Sequence, residues 1–217
     1  TFRDLHVLRY FGSSMFVAGV SVIISVVMIS MSAYVVARME FKGKTLVSIL
    51  LYSTMFIPAT ALTYPVYNLI NNLNLYDTRG ALILIYSCSG IAISFFVIKN
   101  YYDNIPRDLE EAARIDGCGY VRTWVKVIFP IARPGIMTAA VLAFLNNWNE
   151  YYWASLVLIT REKLTVPSLL STFTTAFNTN YNGLFSAMVV IILPPILLYC
   201  IFSKFFIEAL SGGAVKG

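Results

Sequence analysis

The chain has 217 residues, of which 58% are hydrophobic and only 12% charged, with a formal net charge of +5. Its mean hydropathy of +0.72 excludes an ordinary soluble domain: one buried core does not need that much apolar surface, and the bilayer is the natural place for the rest. No clustered basic-aromatic pattern accompanies the positive charge, so nucleic acid is excluded as a partner.

Five runs contain no Asp, Glu, Lys, Arg or His: residues 10–37, 45–76, 80–98, 134–149 and 164–203. A helical span needs about 20 mostly apolar residues. The fourth run reaches that length by tolerating Glu150, and the fifth is polar and turn-rich up to residue 183. The prediction is an all-α integral membrane protein with five visible transmembrane helices.

In chain order, residues 11–37 form the first span. Ser13, Ser14, Ser21, Ser25, Ser30 and Ser32 suit close helix packing in lipid. MEFKGKT (39–45) is a turn. The second span, 46–70, is interrupted by Pro58 and Pro65, each of which removes a backbone donor. That pattern fits either a structural kink or a broken helix lining a pathway. Residues 71–80 are a turn, 81–98 a third span, and 99–126 a charged insert too polar to cross. Residues 134–158 form the fourth span and 160–183 an outer segment. The last span covers 184–206, carries Pro194-Pro195, and leads to a flexible tail, SGGAVKG.

Eleven of the 16 Lys and Arg fall on one set of alternate connections, which is therefore the cytoplasmic set. The C-terminus is then cytoplasmic and residue 1 outside, which suggests a preceding span removed or left out. Cys88, Cys118 and Cys200 have no metal or redox spacing and read as small packing residues without a bridge. Tyr64, Tyr67 and Tyr76 read as interface-belt aromatics, and the single His6 as solvated.

The insert carries IPRDLEEAARIDG (105–117). Pro106 suits the first helical position. Asp108, Glu110 and Glu111 suit the positive helix end. Glu110 and Arg114 are spaced for an i,i+4 pair, and Gly117 for a left-handed stop. A helix over 106–116 follows, with a second segment over 120–129 ended by Pro130 and Pro134. So short a helix needs a surface to lie on. Ala112 and Ala113 would let a protein partner approach closely, with Leu109 and Ile115 on one broad face and Glu111 near it.

Glu111-Ala112-Ala113, three residues, Gly117, nine residues, then Val127-Ile128-Phe129-Pro130 resembles the EAA loop of binding-protein-dependent ABC importer permeases. Val127 and Phe129 replace the usual Ile and Leu. AYVVARMEFKGK (33–44), FIPATALTYPVY (56–67), FLNNWNEYYWASLVL (144–158) and the terminal GGAVKG extend the likeness to the carbohydrate-uptake branch, of the maltose-permease type. The resemblance implies one transmembrane domain over 1–217 with a coupling loop at about 99–130. It also implies a native six spans, a second permease subunit, an ATPase dimer holding ATP and Mg, and a solute-binding protein. No cofactor would be bound by this chain, which would sit in a bacterial or archaeal cytoplasmic membrane. By carry-over, Glu110, Glu111, Ala112, Ala113, Arg114, Asp116 and Gly117 form the ATPase-coupling segment.

For the solute pathway the candidates are Asn146, Asn147, Trp148, Asn149, Glu150 and Tyr151, whose amides and rings suit a sugar. Glu150 is the one acid predicted within a span. An ionised acid at a helix centre costs about 2.5–3.5 kcal/mol, so it should face protein or water. Packing or gating at a subunit interface is the alternative role. No GxxxxGK[ST] motif is present, so ATP would be hydrolysed elsewhere, and no convergent catalytic set suggests an enzyme. An ion-coupled transporter with Glu150 as proton carrier, and an importer for a non-sugar solute, are the competing readings.

Overall fold

The computed structural model describes residues 7–173 and 180–214, and every regular element among them is helical. His6, Lys216 and part of the predicted outer segment lie outside the described residues. The first span is α1 (Val7–Arg38), as the long charge-free run predicts. A turn through Lys42 and Gly43 leads to α2 (Lys44–Ser53), and two 3-10 turns, Thr54–Phe56 and Ala59–Leu62, precede α3 (Thr63–Asn72). The break falls at Pro58. Pro65 interrupts nothing: it sits in the first turn of α3, where a backbone N–H has no partner to lose.

The predicted span over 81–98 is two helices, α4 (Arg79–Ser87) and α5 (Ile91–Asp103). Between them Gly90 takes φ 64°, which a side chain disfavours. The insert contains α6 (Asp108–Ile115), α7 (Tyr120–Thr123), a π-helical turn (Trp124–Ile128) and α8 (Phe129–Ile131). The predicted span over 134–158 is likewise divided, into α9 (Arg133–Trp148) and α10 (Tyr152–Val157). A 3-10 turn (Arg161–Lys163), α11 (Val166–Leu169) and a further 3-10 turn (Leu170–Phe173) follow. The last helix, α12 (Tyr181–Ala214), passes through Pro194-Pro195 and continues into the SGGA that was expected to be a flexible tail. Each Gly costs a helix only about 1 kcal/mol, which a long helix can carry.

Among the described residues, α1 and residues 181–203 are long and apolar enough to cross a bilayer unaided. Three bent helix pairs meet the same test jointly, which gives up to five spans. α2 buries none of its residues, and Leu46, Ile49 and Leu50 are each about 60% exposed. In water such a surface is a liability; in lipid it holds the helix in place.

The chain forms two compact units. One gathers residues up to Ile24, Pro58–Ser89 and Ala143–Ile201. Val17, Ile70, Leu82, Tyr86, Val157 and Val166 form its fully buried centre. The other gathers Ser25–Ile57, Gly90–Leu142 and residues from Phe202 on. In it Phe95, Ile98, Tyr102 and Ile128 are fully buried, with Tyr34 edge-on to Tyr102 and Tyr52 edge-on to Phe95. Most of the α1 serines do more than permit close packing. Ser13 donates to the Lys163 carbonyl, Ser14 accepts from Val166 N–H, and Ser30 bonds Tyr102. Two do not: Ser25 is buried with no hydrogen-bond partner for its hydroxyl, and Ser32 is exposed and bonds back to the Met28 carbonyl.

Candidate functional site

α6 is eight residues long and shorter at its start than predicted. Arg107 is the N-cap, so Pro106 lies outside the helix rather than at its first position. Three carboxylates, Asp108, Glu110 and Glu111, occupy the first turn, where the helix dipole favours them. The C-terminus closes as the glycine predicts. Gly117 takes φ 77°; its N–H donates to the Arg114 carbonyl and that of Cys118 to the Ala113 carbonyl, which is the paired Schellman stop.

The helix lies on its own chain. Glu110 and Ala113 are the buried residues of α6, so Ala113 is part of the inner face and not, as expected from sequence, of the face offered to a partner. Glu110 does not pair with Arg114. Its Oε1 lies 2.8 Å from Arg38 Nε, with the two side chains 8% and 5% exposed. The contact is ionic and lacks an aligned N–H hydrogen bond. Tyr34 hydroxyl reaches the other carboxylate oxygen at 3.5 Å, and Arg38 Nη2 donates to the Ile105 carbonyl at 2.6 Å. Arg114 instead stacks over the Tyr120 ring at 4.9 Å. A buried pair broken on one side costs about 3–5 kcal/mol, so Glu110 is committed to holding the helix down. Glu111, Ala112, Arg114 and Asp116 remain exposed, as do Leu109 and Ile115, the last at 87%.

The segment NNWNEYYW is divided by the break between α9 and α10, and its residues do not converge. Trp148 is buried between Phe11 and Phe144 and donates to the Ile191 carbonyl. Asn147 is buried, and its Nδ2 has no hydrogen-bond partner. Asn146 is exposed and donates to Ser89 Oγ; Asn149 is exposed and bonds back to the Leu145 carbonyl; Tyr151 is exposed. Glu150 is not inside a span helix. It lies just before α10 and accepts from Trp153 N–H, Ala154 N–H and the Tyr86 hydroxyl. A carboxylate that caps orphan N–H groups at a helix start is a structural element. This removes the free carboxylate that a proton carrier would need.

Sequence reasoning passed over Asp77. It sits in the turn between α3 and α4 at φ 54°, a conformation open to Asp through its short polar side chain. Its carboxylate accepts from Ile159 N–H, Thr160 N–H, the Thr160 hydroxyl and Lys163 Nζ. Burial alone would raise its pKa; these donors outweigh burial and hold the carboxyl well below the usual range. Arg79 adds bonds to Ser13 Oγ and the Glu162 carbonyl. Tyr67 and Tyr76, read as belt aromatics, meet edge-on. Cys88, Cys118 and Cys200 form no disulfide with one another.

Residues 25–211 match the family model described as binding-protein-dependent transport system inner membrane component. The chain is 34% identical over 208 residues to the arabinooligosaccharides transport system permease protein AraQ of Halalkalibacterium halodurans, covering 96% of this chain and 74% of that one. It is 35% identical over 201 residues to the trehalose transport system permease protein SugB of Mycobacterium tuberculosis, covering 91% and 73%. A solved bacterial ABC transporter involved in import of the acidic polysaccharide alginate superposes with a TM-score of 0.81 at 25% identity, over 94% of this chain and 78% of that chain. The methionine transporter MetNI superposes with a TM-score of 0.68 at 15% identity, over 94% and 95%, a likeness of fold alone. The chain is a membrane-bound transport permease, and it belongs to the family of binding-protein-dependent transport system inner membrane components.

Proposed function

We propose that the chain is a membrane-spanning subunit of an ATP-driven importer of sugars or oligosaccharides, driven by an ATPase that grips the exposed face of α6. The observation that carries this reading is the two-sided character of α6: Glu110 is buried against Arg38 while Glu111, Ala112 and Ile115 face outward. A short helix held firmly below and bare above is suited to transmit force from a partner. The carbohydrate reading is supported by the arabinooligosaccharide and trehalose permeases it resembles.

In this scheme ATP and Mg reside on two partner ATPase subunits. A second permease completes the translocation path, and an extracytoplasmic binding protein delivers the solute. α6 and the C-terminus are then cytoplasmic, and the Asp77 turn lies on the opposite side. Glu111 and Asp116 offer charge to basic groups of the ATPase, Ile115 offers apolar surface, and the Gly117 stop fixes where the helix ends. Closure of the ATPase dimer displaces α6, and the spans alternate their access. Of the pathway residues, exposed Asn146, Asn149 and Tyr151 are the groups able to meet a sugar, whereas Trp148 and Glu150 hold the frame.

The test is purification of the tagged chain from native membranes in mild detergent, followed by uptake in proteoliposomes. A second permease and an ATPase should co-purify, and uptake of an oligosaccharide should require ATP and the binding protein. Uptake driven by a proton gradient without ATP overturns the proposal.

A further inference from the structure

Ser30, Tyr34 and Arg38 recur at four-residue spacing and so share one face of α1. Each reaches the part of the chain that carries α6. Ser30 and Tyr102 share a hydroxyl hydrogen bond at 2.5 Å, and Trp124 Nε1 donates to the same Tyr102 oxygen at 3.1 Å. Tyr34 reaches Glu110. Arg38 holds the Ile105 carbonyl ahead of α6 and the Glu110 carboxylate within it. α6 and both of its flanks are thus tied to one helix, and that helix is unbroken from Val7 to Arg38.

We propose that Arg38 is a positioning residue of the coupling step: with Glu110 as its counter-ion, it fastens α6 to α1 so that a displacement of α6 moves α1. The proposal rests on the reading of α6 as the ATPase contact. The chemistry favours a rigid link. An apolar contact such as that of Ala113 can slide at little cost, but a desolvated ion pair with the Arg also bound to a backbone carbonyl cannot separate without leaving a buried charge unpaired. Glu111, on the outer face, is free to engage the partner because Glu110 holds the helix in place.

The experiment uses the complete importer in proteoliposomes, with Arg38→Gln, Arg38→Lys and Glu110→Gln. It reads bound ATPase, ATP hydrolysis and solute uptake. With both Gln variants the ATPase should stay bound to within about twofold, while solute moved per ATP hydrolysed falls by about tenfold or more, within the usual range of coupling effects. Arg38→Lys keeps the charge and should recover part of that ratio. An unchanged ratio in both Gln variants overturns the proposal. So does a loss of uptake matched by an equal loss of bound ATPase, which marks a merely structural pair. If Arg38→Gln does not assemble, Glu110→Gln, with its preserved shape and hydrogen-bonding capacity, decides by the same two readings. ATP-independent uptake by the wild-type complex would instead sink the importer reading itself.

Discussion

The Tyr86 hydroxyl donates to Glu150 Oε2 at 2.7 Å, and the same oxygen accepts Ala154 N–H at 3.2 Å. One carboxylate therefore joins α4 to the start of α10. Glu150→Ala leaves the Tyr86 hydroxyl, on a 2% exposed residue, without this acceptor and uncaps α10. The expected destabilisation is about 1–3 kcal/mol, with Glu150→Gln losing less because it keeps an acceptor. Thermal unfolding in detergent checks this. Unchanged melting with a specific loss of solute affinity would return Glu150 to a binding role.

Glu111 and Glu110 are neighbours with opposite surroundings, so equal charge reversals should act differently. Glu111→Lys is expected to insert and fold normally, while the ATPase retained on purification falls about tenfold and uptake is lost. Glu110→Lys places a second cation against buried Arg38 and should lower the yield of folded protein itself. Normal uptake by Glu111→Lys would remove the outer face of α6 from the coupling path.

Asp77 sets a pH dependence with a definite sign. Its folded pKa lies below the ordinary 3.8, so folding favours the ionised form. The stabilisation is fully present above that ordinary value and is lost as pH falls through the folded pKa. The melting difference between wild type and Asp77→Asn should stay constant from about pH 8 to pH 5 and shrink below about pH 4. A gap that persists undiminished in acid would show that the carboxylate charge is not what stabilises the turn.

Gly135 leaves no room for a side chain: a methyl placed there would come within 2.2 Å of the Tyr101 ring. Gly135→Ala should destabilise by about 1–3 kcal/mol through overpacking. Adding Tyr101→Ala should recover part of that loss, a non-additivity readable by unfolding of the two single variants and the double variant. Strict additivity would mean that the two residues do not meet.

The local form of α6 was legible to a useful depth. Its spacing and its glycine stop are local properties, and Gly117 adopts the conformation its position predicts. What was not legible is which of Glu110 and Glu111 turns inward, since both suit the first turn of a helix. The clue available was the four-residue recurrence of Ser30, Tyr34 and Arg38, which puts all three on one face of α1. The breaks at residues 88–90 and 149–151 were hidden for another reason. Apolar composition records that a segment sits in lipid but not whether its backbone is continuous. A carboxylate in a span pattern looks the same whether it faces a channel or caps a helix.

Sequence by itself determined that this chain is helical and membrane-bound and that it carries one long charged loop. Those properties follow from hydropathy, charge and turn residues, which act over a few neighbours at a time. Only the tertiary structure decided that Glu110 belongs to Arg38, Glu150 to Tyr86 and α10, and Asp77 to the loop holding Thr160 and Lys163. Arg38, Tyr86 and the Thr160 loop each come from a distant part of the chain, and a buried charge takes the partner that folding brings to it.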